Sequence, residues 1–365
     1  MMKLPLLSLL LASGLAKALP PAPLVPGSVA PVTGGRPKAL PLTDSTAEKM
    51  LVFQRSIGGW PKAVGDKKVD YKHALTAAER AATLADKDRK DATIDNNATT
   101  REIAYLAKAY QTTNNAAYRQ AAETGIRFLL KMQYANGGFP QYYPDFSNYR
   151  HQITYNDNAM VHALEVLRDV AKQKAPYVGL DAALAPVAQG AVARGIDCML
   201  KTQYVRGGHP TAWCAQYDEK TLQPAKARAF ELASLSGDES VAIVRFLMGI
   251  EQPSVAEKTA IECAVDWFQK VKIINTAFQE VTDPQTHKVL DRKLVPQAGA
   301  IVWARFYELN TDRPIFVGRD SQVRYQLADI EIERRAGYLY AGTWPEKLLA
   351  KEFPAWQKRV GAARK

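Results

Sequence analysis

Cysteine is scarce: Cys198, Cys214 and Cys263 are the only three in 365 residues, too few for a disulfide framework. Either one bridge joins Cys198 to Cys214 or all three are apolar thiols. Histidine is nearly as rare. His73, His151, His162, His209 and His287 are scattered along the chain, so a zinc site or a histidine-based triad has little support. A Gly-x-Ser-x-Gly elbow, a Walker loop and a Gly-x-Gly-x-x-Gly strand turn are absent, and with them the usual marks of hydrolase, nucleotide and dinucleotide chemistry. Only the amino terminus is hydrophobic enough to interest a membrane. Met1-Met2-Lys3, the apolar stretch Leu4 to Leu11 and Ala16-Lys17-Ala18 have the order of a cleaved secretory signal, read as residues 1–18. The expected location is therefore secreted or periplasmic, with no membrane contact after cleavage.

The rest of the chain has the makings of a sizeable core, being 47% hydrophobic and 23% charged. Lysine and arginine number 48 against 37 acids, a formal charge of +11, and removal of Lys3 and Lys17 with the signal leaves +9. A basic surface favours an anionic partner, and export makes an acidic polysaccharide a better candidate than nucleic acid. Seven prolines between Leu19 and Pro41, with glycines and no apolar period, mark a linker over 19–45. A single domain is expected over 46–352, followed by a basic tail, 353–365.

Three segments of that domain align without gaps: Gln54 to Pro61 through Gly58-Gly59-Trp60, Gln133 to Pro140 through Gly137-Gly138-Phe139, and Gln203 to Pro210 through Gly207-Gly208-His209. Their spacings, 79 and 70 residues, define an internal repeat. Each copy closes a helical stretch: Thr46 to Gln54, Tyr118 to Gln133, and Val187 to Gln203. The glycines stop the helix, and the proline keeps it from resuming. Further helix starts follow Thr99-Thr-Arg-Glu102, Asn156-Asp157-Asn158, Ser236-Gly-Asp-Glu239 and Ser254-Val-Ala-Glu257. Strand patterns are short and few. The expected fold is all-α: an α/α toroid or barrel of three repeated helix pairs, with short β segments in loops.

Polar residues gather at two of these helix starts. Thr93-Ile-Asp95-Asn96-Asn97 and Tyr155-Asn156-Asp157-Asn158 each set an acid among amides. Helix capping explains either one alone. Two such clusters on successive helices would also offer oxygen ligands to a hard cation such as calcium. The cationic counterpart is a loop, Pro224-Ala-Lys226-Ala-Arg228-Ala-Phe-Glu231, and a later stretch through Arg305, Arg313 and Arg319. Charged runs are usually solvated surface, but arginines among aromatics, glycines and prolines suit planar carboxylates.

These same segments, over roughly 46–350, resemble the family-10 polysaccharide lyases, which are pectate lyases. The resemblance implies an α/α toroid and calcium-assisted β-elimination of polygalacturonate, with pectin as the natural polymer and Ca2+ as cofactor. It implies Asp157 as the metal ligand, Asp95 as a second active-centre acid, and Arg313 as the base that takes the C5 proton. Arg228 would receive a substrate carboxylate, with Lys226, Asn96, Asn158 and Arg319 as further substrate contacts. Arg305 and Arg319 lie close to Arg313 in sequence and compete with it for the base. A monomer is expected. The rival readings are a glycoside hydrolase using Asp95 and Asp157 as its two carboxylates, a terpene cyclase, whose helical barrels share Gln-x-x-x-Gly-Gly-Trp repeats, and a non-catalytic sugar-binding protein.

Overall fold

The structure, a computed structural model, describes residues 42–362; the expected signal and nearly all of the linker lie outside them. Helix α1 (Ser45–Phe53) is capped by Asp44, whose carboxylate accepts the N–H groups of Thr46 and Ala47. A short hairpin leads to α2 (Ala77–Ala85). Three helix pairs follow: α3 (Thr100–Thr113) with α4 (Ala116–Met132), α5 (Ala159–Ala171) with α6 (Leu184–Thr202), and α7 (Glu239–Met248) with α8 (Val255–Lys270). α5 touches α3, α4, α6 and α7. Its central position explains why Met160, Val161, Leu164, Val166, Leu167 and Val170 are all buried rather than confined to one stripe.

The Gln–Gly–Gly repeat is the joint between pairs. Gln54, Gln133 and Gln203 each send a side-chain amide to a carbonyl of their own turn and to a carbonyl of a neighbouring helix: Ala121 of α4, Ala191 of α6 and Ala260 of α8. Gly58 and Gly137 have φ of +108° and +91°. A β-carbon on Gly137 would sit 1.9 Å from the Arg194 carbonyl oxygen, so the joint closes only on glycine. The third copy departs from the ungapped alignment. Its glycines turn a small hairpin, Val205–Arg206 with His209–Pro210, and Trp213 instead of His209 repeats the contacts of Trp60. Both indoles donate to a helix carbonyl, Met50 and Met199, at 2.7 Å.

After α8 the chain turns to strand. Ile273–Thr282 and Val289–Ala304 form a long antiparallel hairpin, with Ala341–Gly342 paired to its inner end. Its base is pinned to α8: the Trp303 indole donates to the Phe268 carbonyl at 2.8 Å. A four-stranded sheet runs Val323–Arg324, Pro314–Val317, Phe306–Tyr307, Leu235–Ser236. Helices α9 (Ile332–Gly337) and α10 (Phe353–Ala362) follow. The segment read as a basic tail is largely α10, and its Trp356 is buried in the main core. Of the described residues, helix makes up 45% and strand 17%. The expectation of an all-α toroid or barrel with only short β segments is therefore corrected to a mixed α and β architecture. Much of the hairpin stands clear of the core, with Ile274 and Leu290 59% and 46% exposed. Without a buried face it carries no in–out alternation to read. The cysteines are all free, and burial pushes the Cys198 and Cys214 thiols up to about 12.

Candidate active site

The two acid–amide clusters fold into short 3-10 turns, Asp95–Asn97 before α3 and Asn156–Asn158 before α5, packed against each other. Asn96, Asn97, Asp157 and Asn158 are left-handed, with φ between 51° and 62°, a region that Asn and Asp tolerate best among residues with a side chain. Thr99 shares that region at 67°. Its hydroxyl is locked there, accepting the Trp60 N–H at 2.9 Å and donating to the Thr93 carbonyl at 2.8 Å. The expected Thr99–Glu102 capping box consequently does not form. Neither Asp95 nor Asp157 caps its helix. Asp95 takes the Lys62 ammonium, and Asp157 lies 3.4 Å from Arg305. Their placement is thus not explained by capping.

A third helix start joins them. Asp238 and Glu239 open α7, beside the Asn156–Asn158 turn. Buried Arg305 bonds Glu239 with Nη2, which also lies 3.4 Å from Asp157, while Nη1 lies 3.4 Å from Asp238. Three carboxylates thus share one guanidinium. Burial first, then Glu239 and Asp157, push the Asp238 carboxyl up to about 7 against the pull of Arg305. Asp157 is raised by burial and by Glu239 and Asp95, with Arg305 and Arg228 opposing. The cluster is short of positive charge. Asp95 Oδ1 and Asn158 Oδ1 are buried without a protein partner, the kind of oxygen that water or a hard cation satisfies. Among the described residues no three acidic, histidine or cysteine side chains converge closely enough to hold an ion alone, so water or a ligand would have to complete the shell.

Arg228, on its loop, shares the Tyr338 ring with Arg305, and its charge acts on Asp157. Glu231 grips Arg228 with both carboxylate oxygens, through Nε at 2.6 Å and through Nη2. The fork lies over Phe230 and Tyr338, 4.7 and 5.6 Å from their centroids. Arg305 uses the same Tyr338 ring at 4.9 Å, and the Tyr338 hydroxyl donates to Glu231 at 2.9 Å. Burial alone would lower the Arg228 pKa; the Glu231 pairing outweighs it and holds the group charged. The Arg228 side chain is still 41% exposed, leaving its outer edge to meet a ligand. Lys226 is exposed on the same loop, its carbonyl accepting the Gln152 amide at 3.0 Å.

Asp95, Asn96, Asp157, Asn158 and Arg228 thus come together. Arg313 and Arg319 do not join them. Arg313 stacks on Tyr325, 3.3 Å from its centroid, in a separate groove, and Arg319 is exposed and paired with Glu333 at 2.9 Å. Sequence reasoning missed Lys62, Asp238, Glu239 and Tyr338 and gave Arg305 only as a neighbour of the base. One signal was available: Ser236-Gly-Asp-Glu239 is a third acid-bearing helix start, and its Ser236 hydroxyl does accept the Glu239 N–H at 3.0 Å, so capping is only part of what it does.

The family described as pectic acid lyase matches residues 54–349. Among solved structures, a mutant of the family 10 polysaccharide lyase from Cellvibrio cellulosa in complex with trigalacturonic acid is similar to this chain. Its TM-score is 0.75 at 33% identity, over 87% of this chain and 92% of that one. The family 10 polysaccharide lyase from Cellvibrio cellulosa matches over the same shares with 33% identity and a TM-score of 0.73. No curated protein matches.

Proposed function

Because the chain belongs to the pectic acid lyase family and is a polysaccharide lyase, we propose that it cleaves polygalacturonate by calcium-assisted β-elimination. The observation that carries this reading is the meeting of an under-neutralised acid cluster, Asp157 with Asp95, Asp238 and Glu239, and an arginine with a solvent-facing edge, Arg228. The oxygen donors fit calcium: Asp157, with the partnerless Asp95 and Asn158 oxygens, would hold it. Bound calcium supplies positive charge that neutralises the substrate carboxylate and acidifies the neighbouring C5–H. The chain's own residues do the rest. Arg228, steadied by Glu231 and the Tyr338 ring, meets a uronate carboxylate or its C5 edge, with exposed Asn96 and Lys226, and Lys62 beside Asp95, as further contacts.

In the elimination the base takes the C5 proton, and the electrons of that C–H bond become the C4–C5 double bond as the C4–O bond breaks. The departing glycosidic oxygen takes a proton from solvent. An arginine base must first be neutral, which is difficult at a pKa above 12. The family resemblance gives that role to Arg313, which is stacked in another groove; Glu231 holds Arg228 charged in the free chain, and calcium bound beside Asp157 would oppose that charge and let Arg228 serve as the base. Arg313 and Arg319 are the alternatives for the base. The apolar amino terminus supports export, and among the described residues no helix is long and apolar enough to cross a membrane. A monomer acting on pectin completes the reading.

Asp157→Ala tests it. The variant should lose at least about a hundredfold in turnover of polygalacturonate while its stability falls only by the roughly 1–2 kcal/mol that alanine costs at a left-handed position, since Asp157 makes no cap bond. Full activity with a lowered melting temperature would leave Asp157 a structural residue and remove the proposal.

A further inference from the structure

Arg313 raises a question that the active centre does not answer. It lies in a groove of about 550 Å³ between the long hairpin and the strand Pro314–Val317, a size typical of ligand sites. The groove is on the far side of the small sheet from the active cluster. Ile315 and Val317 turn one way, into the group with Phe230 and Phe306 that supports Arg228, and Phe316 turns the other way, against Leu327, Ile330 and Tyr340. Among the described residues the groove is lined by four cations, Arg292, Lys293, Arg313 and Arg335, and by no acid.

Two of the four are already committed. Arg335 is bonded to Asp291 at 2.8 and 2.9 Å and to the carbonyls of Ala328 and Ile330. Arg292 bonds Glu280 at 2.8 Å and the Ala336 carbonyl. Lys293 and Arg313 have no ion pair among the described residues, and both are exposed. The acid nearest in effect to Arg313 is Glu308, and it is occupied by the hydroxyls of Thr311 and Tyr325. Tyr325, pinned in this way, holds the Arg313 guanidinium flat on its ring. A planar fork ordered before binding loses less entropy when it takes a carboxylate. The floor between the two free cations is apolar, formed by Phe316, Leu294 and Leu327.

Free cations over an apolar floor match a chain of carboxylate-bearing sugars, whose rings offer C–H faces and whose edges offer evenly repeated anions. We propose that this groove is a second, non-catalytic binding site for polygalacturonate, in which Arg313 and Lys293 receive carboxylates of a stretch of polymer outside the active centre. A site of this kind raises the local concentration of polymer by holding it at two points, and a trisaccharide bound at the active centre gains nothing from it. The proposal rests on the lyase reading for its polymer, and the retention measurement below does not depend on turnover.

The test uses the full chain with Lys293→Glu and, separately, Arg313→Ala. Retention on immobilised polygalacturonate should fall for both variants, and fully methyl-esterified pectin should retain none of the three proteins. For Lys293→Glu the KM on long polygalacturonate should rise roughly fivefold, with kcat on the polymer and both constants on trigalacturonate unchanged. Unchanged retention and polymer KM in both variants would overturn the proposal, as would equal retention of the unsubstituted chain on the esterified polymer. Loss of trigalacturonate turnover by Arg313→Ala with retention intact would overturn it too, by returning Arg313 to the chemistry. Absence of unsaturated product from the unsubstituted chain would instead remove the lyase reading and leave the retention result to judge the groove.

Discussion

At the residue scale the account turns on which guanidinium meets C5. Arg228 and Arg305 share the Tyr338 ring, but Arg305 is buried under three carboxylates, whereas Arg228 keeps an outer edge in solvent. Lysine at 228 would retain the charge and lose the fork that Glu231 orients. Arg228→Lys should therefore reduce kcat on trigalacturonate by orders of magnitude, with Kd within about tenfold, or ~1.4 kcal/mol. Arg313→Lys, measured alongside, should leave kcat near that of the unsubstituted chain. The reverse outcome would give the base to Arg313 and contradict the packing argument. Arg319→Lys serves as the control, since Arg319 is engaged only by Glu333 at the surface.

At the scale of elements, the joints between helix pairs decide stability. Gly137 is both left-handed and hard against the Arg194 carbonyl, whereas Gly207 has φ of +57° with open space around it. Gly137→Ala should destabilise by at least about 3 kcal/mol, and Gly207→Ala by about 1–2 kcal/mol; denaturant unfolding of the two variants reads the difference. A second joint is Asp312, buried where the Val205–Pro210 hairpin, α8 and the strand pair Phe306–Val317 meet. Burial alone would raise its pKa, but hydrogen bonds from Arg206, the Trp267 indole and Lys270 outweigh that and hold the carboxyl down at about 2 against an ordinary 3.8. Since the folded value lies below the unfolded one, the ionised group stabilises the fold by about 2 kcal/mol above roughly pH 5. That stabilisation is lost as pH falls through about 4 towards 2. Asp312→Asn, which keeps a residue tolerant of the left-handed backbone, should unfold more easily at neutral pH, by about 2–3 kcal/mol. Its stability should also depend less on pH below 5.

At the scale of the whole molecule, the sequence is informative wherever burial imposes a period. The helix pairs are legible in the spacing of Ile103, Leu106 and Ala107 or Ile261, Val265 and Phe268, and their joints in Gln–Gly–Gly. The long hairpin is not, because Ile274 and Leu290 stay in solvent and no face is selected. Asp95 and Asp157 are recognisable because amides flank them. Asp238 and Glu239 hide behind a serine that also caps, and the role of Arg313 rests on the family resemblance rather than on any spacing, while the chain sets Arg313 on Tyr325 in a groove apart from Asp157. The central claim joins these scales: a polysaccharide lyase whose acid cluster works with calcium on a carboxylate polymer. Ultraviolet absorbance of polygalacturonate incubated with the full chain tests it most directly, with calcium and with EDTA. The account predicts a steady rise from the unsaturated ends in calcium, and its loss in EDTA and return on adding calcium back. An equal rise in both, or shortening of the polymer into saturated products without absorbance, would contradict it.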